Sequence, residues 1–533
     1  MTAIAKHYQV LIVGAGPCGV TAANLLGSYG IRTLIIDKEQ AVVEIPRAIG
    51  MCEEGARIVN ALGLYDTIIS DMVPIDRVRF TTKCKRTIFH SDMNNTKNGY
   101  REQQTLYQPL LEAQLRKGLS RYDCVELRSG IECMQIQQTD HGAAAWLKEL
   151  GGKRHKISCD YVMAADGARS TIRKMSGFGF AGKTYRQDWL ILDVAKDPCP
   201  SSEIEFFYEA GRPGVTLPAP FGKRRWEFEL AADDSHTEML SDDMMRNLLS
   251  PWGRAEDMEV ERKAIYSFHA RTAQRFQNGR VFLMGDAAHI TPPFAGQGMM
   301  AGMRDAYNLS WKIASVLQGK LAPKFLESYH RERRPQVHQI IAFARLVGSV
   351  ILPKRAATIA LRDSMFKAGE WLGLHSEKKG LGLKKLPSHI NGPLIHHYIR
   401  SAISGLGVEV PQYPLRDAAG DYVLLDRELR GCFQLLSYRC NPLQYLSANT
   451  LSRWQRLGGG QVEIESSGGA SLKDVDDSYR LLFKNRPSVI VVRPDKMMVL
   501  RSKPKHLDRD LNRYLDSISC SSAVAAGYLH GAY

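Results

Sequence analysis

The residues best placed for chemistry lie in three short segments, each ending an apolar run. The first is Gly14-Ala15-Gly16-Pro17-Cys18-Gly19, preceded by Val10-Leu11-Ile12-Val13. Val20, Ala23, Leu25 and Leu26 then recur with a helical period as far as Gly30, and a second run, Arg32 to Ile36, ends at Asp37. Strand, tight turn, helix, strand and acid in that order suit a dinucleotide. Gly14 would permit the turn, Gly16 would let the backbone approach a pyrophosphate, and Gly19 would let the helix pack on the strand. The helix N-terminus offers free N–H groups and a positive dipole end to phosphates. Asp37, with Lys38 beside it, can accept from both ribose hydroxyls. A chance glycine turn is the competing reading, and the motif alone does not separate NAD from FAD.

The other two segments narrow the choice. Tyr161-Val162-Met163-Ala164-Ala165 reads as a buried strand and ends in Asp166-Gly167-Ala168-Arg169-Ser170-Thr171-Ile172-Arg173. Val281-Phe282-Leu283-Met284 reads the same way and ends in Gly285-Asp286-Ala287-Ala288-His289. Pro292-Pro293-Phe294-Ala295-Gly296-Gln297-Gly298 follows, then a long helix from about Met299 to Leu317. In both cases a carboxylate stands just past the end of a strand, where α/β sheets bind ligands. Singly, each would be an ordinary turn; three in order are not.

Together these segments resemble the group A flavoprotein aromatic hydroxylases, the family of p-hydroxybenzoate hydroxylase and phenol hydroxylase. Arg47 in Ile45-Pro46-Arg47-Ala48, Gln108 in Tyr107-Gln108-Pro109 and the run Tyr329 to Pro335 match further family positions. The resemblance covers residues 8 to 345. It implies FAD, with NADH or NADPH and O2 as co-substrates, and ring hydroxylation through a flavin C4a-hydroperoxide, in aromatic compound catabolism. It also implies that Asp286 holds the ribityl chain, that Asp166 serves the FAD and NAD(P)H side, and that Pro293 and the Gly298-Met299-Met300 backbone lie along the isoalloxazine ring. The family often has Asn where Met300 stands, so a backbone contact survives there and a side-chain role does not. The long helix would point its positive end at the flavin ring and favour its reduced anion.

Between Ala181 and Ile265 the alternation of strand and helix stops. Runs at Ile204 to Tyr208, Gly214 to Leu217 and Arg225 to Leu230 read as an antiparallel sheet over the flavin, joined by residues around 75–105. Arg212 to Pro220, Arg224-Arg225-Trp226-Glu227-Phe228 and Tyr266-Ser267-Phe268-His269 resemble the branch typified by 3-(3-hydroxyphenyl)propionate hydroxylase. Tyr208, Tyr266 and His269 are candidates to orient or deprotonate a substrate hydroxyl; the plainer reading makes them ordinary sheet residues. Arg212, Arg224 and Arg225 could pair with a substrate carboxylate, although arginines on such a sheet are usually solvated.

The expected architecture is α/β. A Rossmann-type FAD-binding domain (1–180 and 266–400, the latter with helical stretches through 346–400) carries an inserted β-sheet substrate domain (181–265). Residues 405–533 would form a C-terminal domain resembling the thioredoxin-like domain of phenol hydroxylase relatives, with Arg493-Pro494-Asp495-Lys496 before its last strand. It lacks CxxC, so a dimer or stability role is expected rather than thiol exchange. The ten cysteines show no metal spacing, and the 533 residues contain no apolar run long enough to span a bilayer. A cytoplasmic protein with reduced thiols is expected, with a homodimer as one form it could take. The net charge of +15 comes without a nucleic-acid motif and would instead attract anionic small molecules. A flavin oxidase or reductase on the same fold is the nearest competitor. A non-catalytic FAD-fold carrier has no use for the Pro292 to Gly298 platform.

Overall fold

In the computed structural model, which describes residues 4–519 apart from 82–86, 198–199, 210–211, 255–256, 294–295, 352–363, 365–405 and 467–471, a parallel sheet grows outward from the first apolar run. His7–Val13 pairs in parallel with Thr33–Asp37 on one side and Arg154–Ala164 on the other. Val125–Ser129 extends the first edge, and Val281–Leu283 joins the end of Arg154–Ala164, again in parallel. Gly142–Glu149 and Ile131–Thr139 add an antiparallel edge. Val10, Leu11, Ile12, Leu34, Ile35 and Ile36 are all buried, which is why these strands read as unbroken apolar runs. Helices Pro17–Ser28 and Gly298–Leu317 pack against each other. The carboxyl ends of the parallel strands therefore bring Asp37, Asp166 and Asp286 to one rim.

A second sheet covers that rim. Its described strands run in the order His289–Ile290, Val260–Ala273, Phe180–Val194, Lys223–Glu229, Arg212–Ala219, Glu203–Glu209, Arg77–Thr81 and Thr87–Asp92. The earlier segment thus joins through residues 77–92. One pairing departs from the antiparallel expectation: Glu203–Glu209 runs parallel to Arg77–Thr81, because that edge is an excursion from the first domain and not a hairpin. Strand Val260–Ala273 also runs through the expected boundary at 265/266, so the chain passes between sheet and FAD domain without a break. Side chains alternate across each strand. Trp226 and Phe228 pack with Leu190, Leu192 and helix Asp242–Leu249 on the outer face. Arg225 and Glu227 therefore stand on the inner face.

The C-terminal unit has a four-stranded sheet ordered Gly460–Ile464, Gln434–Tyr438, Ser488–Val492, Met498–Ser502, with the first pair parallel and the others antiparallel. Helices Ala448–Arg456 and Leu507–Ser519 accompany it. Val423 and Leu424 lie in the short strand Tyr422–Leu424, as expected, and Leu425 departs from the expectation by starting the helix Leu425–Glu428. The lysine-rich region expected to be helical lies, beyond Ile351, almost wholly outside the described residues, as does the chain after Ser519.

Buried charges attach this unit to the FAD domain. Arg57 donates twice to Asp426, each at 2.6 Å, and also to Glu409 at 3.2 Å and the Val410 carbonyl at 2.9 Å. Arg493 donates to Glu332 at 2.7 and 3.0 Å, and Lys312 donates to the same carboxylate at 2.7 Å. Burial alone would push the Glu332 and Asp426 carboxyls up. The facing cations, Arg493 with Lys312 and Arg57, outweigh it and hold both below the usual range.

Arg57→Ala should strand Asp426 and lower stability by about 3–5 kcal/mol, read from urea unfolding; a change below about 1 kcal/mol would show that the pair is dispensable. Because both carboxyls titrate lower folded than unfolded, the stability they contribute is complete above about pH 4.5, the ordinary glutamate value, and is lost as pH falls through the lowered folded values. Unfolding midpoints measured downward from pH 5 should show that decline.

Candidate active site

The dinucleotide turn is built from contacts no side chain could share. A Cβ on Gly14, whose φ is +102°, would lie 2.4 Å from the Ala165 carbonyl oxygen, and one on Gly19 would lie 1.9 Å from the Gly14 carbonyl oxygen. Gly19 is thus required by the turn itself, more than by the strand the sequence suggested. At Gly16 a Cβ would meet nothing within 4 Å, and helix Pro17–Ser28 starts there with no side-chain cap. Open space in front of uncapped N–H groups is what a pyrophosphate needs.

Asp37 accepts from the Ala15 N–H at 2.6 Å and the Glu39 N–H at 2.9 Å, which fixes the carboxylate and leaves it further acceptor capacity. Lys38 points outward and pairs with Glu39 at 3.9 Å. Arg116, which sequence reasoning missed, donates to the Ala15 carbonyl at 2.9 Å and to Glu112 at 3.0 Å. Its signal was available: Gln108, Glu112 and Arg116 recur at helical spacing on helix Gln108–Gly118. Gln108 Oε1 accepts from the N–H groups of Arg47 at 3.1 Å and Ala48 at 2.6 Å. The glutamine thereby shapes the segment that carries Arg47.

The Gly285–Ala287 turn is held from two sides. Buried Asp305 accepts from the Gly285 N–H at 3.0 Å, from His289 at 2.6 Å and from Arg333 at 2.7 Å. Arg173 donates to the Ala287 carbonyl at 2.9 Å. Asp166 accepts from Ser170 at 2.6 Å and from the Ile172 N–H at 3.0 Å, so it caps helix Thr171–Met175, from which Arg173 reaches that turn. Asp166 therefore helps place Arg173. Between these anchors the Asp286 side chain stays open to solvent. The surrounding walls still push its carboxyl up, with His289 and Arg47 pulling it the other way.

Past this turn, Gly296 closes on the Pro293 carbonyl at 2.7 Å, and helix Gly298–Leu317 starts with no side-chain cap and no acid in its first turn. Thr291 Oγ1, 3.2 Å from where a Gly298 Cβ would stand, is buried without a partner among the described residues. The Met300 side chain is buried against Gly55 and turned from the helix start, so only its backbone can serve a ligand there; Met299 is half-buried. Phe294 and Ala295 lie outside the described residues. Uncapped N–H groups, an unpartnered hydroxyl and an open carboxylate at one rim fit a flavin dinucleotide.

Of the residues expected on the second sheet, Arg225 and Tyr266 come to this site. Arg225 donates to Asp193 at 2.6 and 3.0 Å and to the Pro46 carbonyl at 2.8 Å. Arg262, unanticipated, donates to the same carbonyl at 2.9 Å, to Asp193 at 3.0 Å and to the Tyr266 hydroxyl. Arg212 is instead bound to Asp234, with one contact at 2.7 Å. Arg224 turns to the outer face, onto Asp197 and the Ser201 carbonyl. His269 hydrogen-bonds Thr184 at 3.0 Å, beyond the register shift in its strand. The Tyr208 side chain lies outside the described residues. Among the described residues no cluster of His, Cys, Asp and Glu could hold a metal.

An FAD binding domain family model matches residues 7–344. The chain belongs to this family of flavoprotein hydroxylases. An HcaD C-terminal domain model matches residues 407–517. The chain is 32% identical over 518 residues to a 3-(3-hydroxy-phenyl)propionate/3-hydroxycinnamic acid hydroxylase of Burkholderia cenocepacia, covering 93% of this chain and 94% of that one. It is 31% identical to the Escherichia coli O81 protein of the same name, covering 96% and 95%. In fold it is similar to the flavin-dependent monooxygenase PieE (TM-score 0.80, 21% identity, 97% and 100% covered) and to aklavinone-11 hydroxylase (TM-score 0.79, 21% identity, 96% and 100% covered). The family member described here is an FAD-dependent aromatic-ring monooxygenase with NAD(P)H and O2 as co-substrates.

Asp286→Ala should bind FAD roughly ten- to a hundredfold more weakly, the loss of a charged acceptor to hydroxyl groups. The purified variant should be pale where the parent is yellow. Equal flavin content after gel filtration would remove Asp286 from the binding set.

Proposed function

We propose that the chain hydroxylates a small phenolic ring bearing an acidic side chain, bound between the flavin and the inner face of the second sheet. One observation carries this reading. That face is an apolar wall of Ile191, Val215 and Leu217 with a charged corner of Asp193, Arg225, Glu227 and Arg262, set against the segment that bears Arg47. An aromatic ring suits the wall, and the N–H donors of Arg225 and Arg262 not taken by Asp193 and Pro46 suit a carboxylate. The names of the Burkholderia and Escherichia relatives describe such a substrate. The net charge of +15 would draw it in.

Bound FAD, reduced by NAD(P)H, supplies activated oxygen. Asp37 would bind the adenosine ribose, the helix start at Gly16 the pyrophosphate, and Asp286 the ribityl chain. Pro293 and the backbone of Gly298, Met299 and Met300 would lie along the ring. Gln108 and Asp166 serve by holding the segments next to it. Tyr266, its hydroxyl already receiving a hydrogen bond from Arg262, would orient the substrate hydroxyl. The wall would exclude water from the reacting carbon.

The C-terminal unit is proposed to be a thioredoxin-like domain without redox chemistry. Its strand order and directions support the fold, and the absence of CxxC and the thiols of Cys432 and Cys440, pushed up by burial, support the silence. A cytoplasmic setting fits those reduced thiols. No described helix is long and apolar enough to cross a membrane.

The true substrate should accelerate NAD(P)H oxidation by orders of magnitude and gain one oxygen atom ortho or para to its hydroxyl. Mass analysis of product formed under ¹⁸O2 tests this; label arriving from water would end the monooxygenase reading. Replacing Cys432 and Cys440 together with Ser should leave turnover within about twofold, because neither thiol is poised to react.

A further inference from the structure

Glu227 belongs to none of the hydrogen-bond networks described so far. On strand Lys223–Glu229 it stands opposite Val215 on one neighbour and Ile191 on the other. It shares the inner face with Arg225, whose guanidinium touches the Pro46 carbonyl. Its side chain is only 14% exposed. Among the described residues its carboxylate accepts no hydrogen bond, and the nearest cation, Arg225 Nη1, is 4.0 Å away. Asp193 already takes the strong hydrogen bonds of Arg225 and Arg262. A half-enclosed carboxylate on an apolar wall, with its partners' donors committed elsewhere, lacks a donor.

We propose that Glu227 is the proton acceptor for the hydroxyl of the bound ring. The proposal rests on the phenol-hydroxylating reading above. The substrate O–H bond breaks, the proton passes to a Glu227 oxygen, and the electron pair stays on the substrate as a phenolate. That charge enriches the ortho and para carbons, one of which takes up oxygen. When the oxygenated ring becomes aromatic again, its C–H proton passes to solvent water, the C–H electron pair re-enters the ring, and Glu227 returns its own proton to the same oxygen. The carboxylate ends the cycle as it began.

The surroundings suit the task. Burial pushes the Glu227 carboxyl up, Arg225 and Arg262 draw it down, and Asp193 raises it. Arg225 on its own strand, Asp193 on the next, and Arg262 and Tyr266 beyond are the charged and titratable groups facing it; the Pro46–Arg47 segment presents backbone carbonyls. A base raised above an ordinary glutamate is better matched to a phenol, whose ordinary pKa is about 10.

The test compares wild type with Glu227→Gln and with Glu227→Asp, using 3-(3-hydroxyphenyl)propionate as the probe. Ultraviolet difference spectra at pH 7–8 should show the probe bound as phenolate to wild type and as phenol to Glu227→Gln. With FAD and NAD(P)H, the glutamine variant should uncouple NAD(P)H oxidation from hydroxylation. Its yield of hydroxylated product per NAD(P)H should fall at least tenfold, with peroxide as the balance, and recover as pH approaches that of the free phenol. Glu227→Asp should keep the phenolate spectrum and part of the yield. If Glu227 only balances Arg225, Glu227→Gln will show the same spectrum, yield and pH profile with lower thermal stability, and the proposal fails. A wild-type protein that neither binds nor hydroxylates any phenol removes the underlying reading as well.

Discussion

The site depends on how four residues, Ile45 to Ala48, are held between two domains. Gln108 fixes the N–H groups of Arg47 and Ala48 from the FAD side, while Arg225 and Arg262 grip the Pro46 carbonyl from the sheet. Asp193 accepts hydrogen bonds from both guanidiniums at once. A carbonyl receiving two charge-assisted hydrogen bonds in a half-buried setting leaves little freedom to the peptide that bears it. Arg47 and the inner face of the second sheet therefore cannot shift independently.

The rest of the flavin rim follows the same logic: polar side chains fix backbone, and backbone presents the site. Asp305 and Arg173 hold the turn on either side of Asp286, and neither needs to touch a ligand to matter. Burying a charge such as Asp305 is costly unless it is paired. Here His289, Arg333 and the Gly285 N–H satisfy it, and the result is a turn with one orientation.

Much of this was legible in the sequence because the parallel strands carry a strong signal. Val10 to Val13 and Val281 to Leu283 are buried on both faces, and the carboxylates after them mark the ligand rim. The second sheet was harder to read. Arg212, Arg224 and Arg225 look alike in the sequence, yet one binds Asp234, one faces the outer core and one reaches Pro46. Strand alternation separates Arg224 from Arg225, but the partner carboxylates, Asp193 and Asp197, come from a distant strand and the loop after it. Asp305 was hidden for a different reason. It sits inside a helix, away from any strand end, and only the packing of that helix against the turn reveals its use.

The attachment of the C-terminal unit bears on how this protein could be rearranged by evolution or by design. Its anchoring charges, Arg57, Lys312 and Glu332, are buried in elements that belong to the FAD domain. Helix Gly298–Leu317, which begins at the flavin rim, carries Lys312 near its other end. A shortened gene would leave Arg57 with no counterpart and the Lys312–Glu332 pair without Arg493, with nowhere to hydrate short of opening the core. The two parts are covalently modular but electrostatically one piece. A graft from another hydroxylase would have to bring an acid at 426 and the 493–495 pair with it, or replace Arg57 and the Lys312–Glu332 pair by apolar residues in the same exchange.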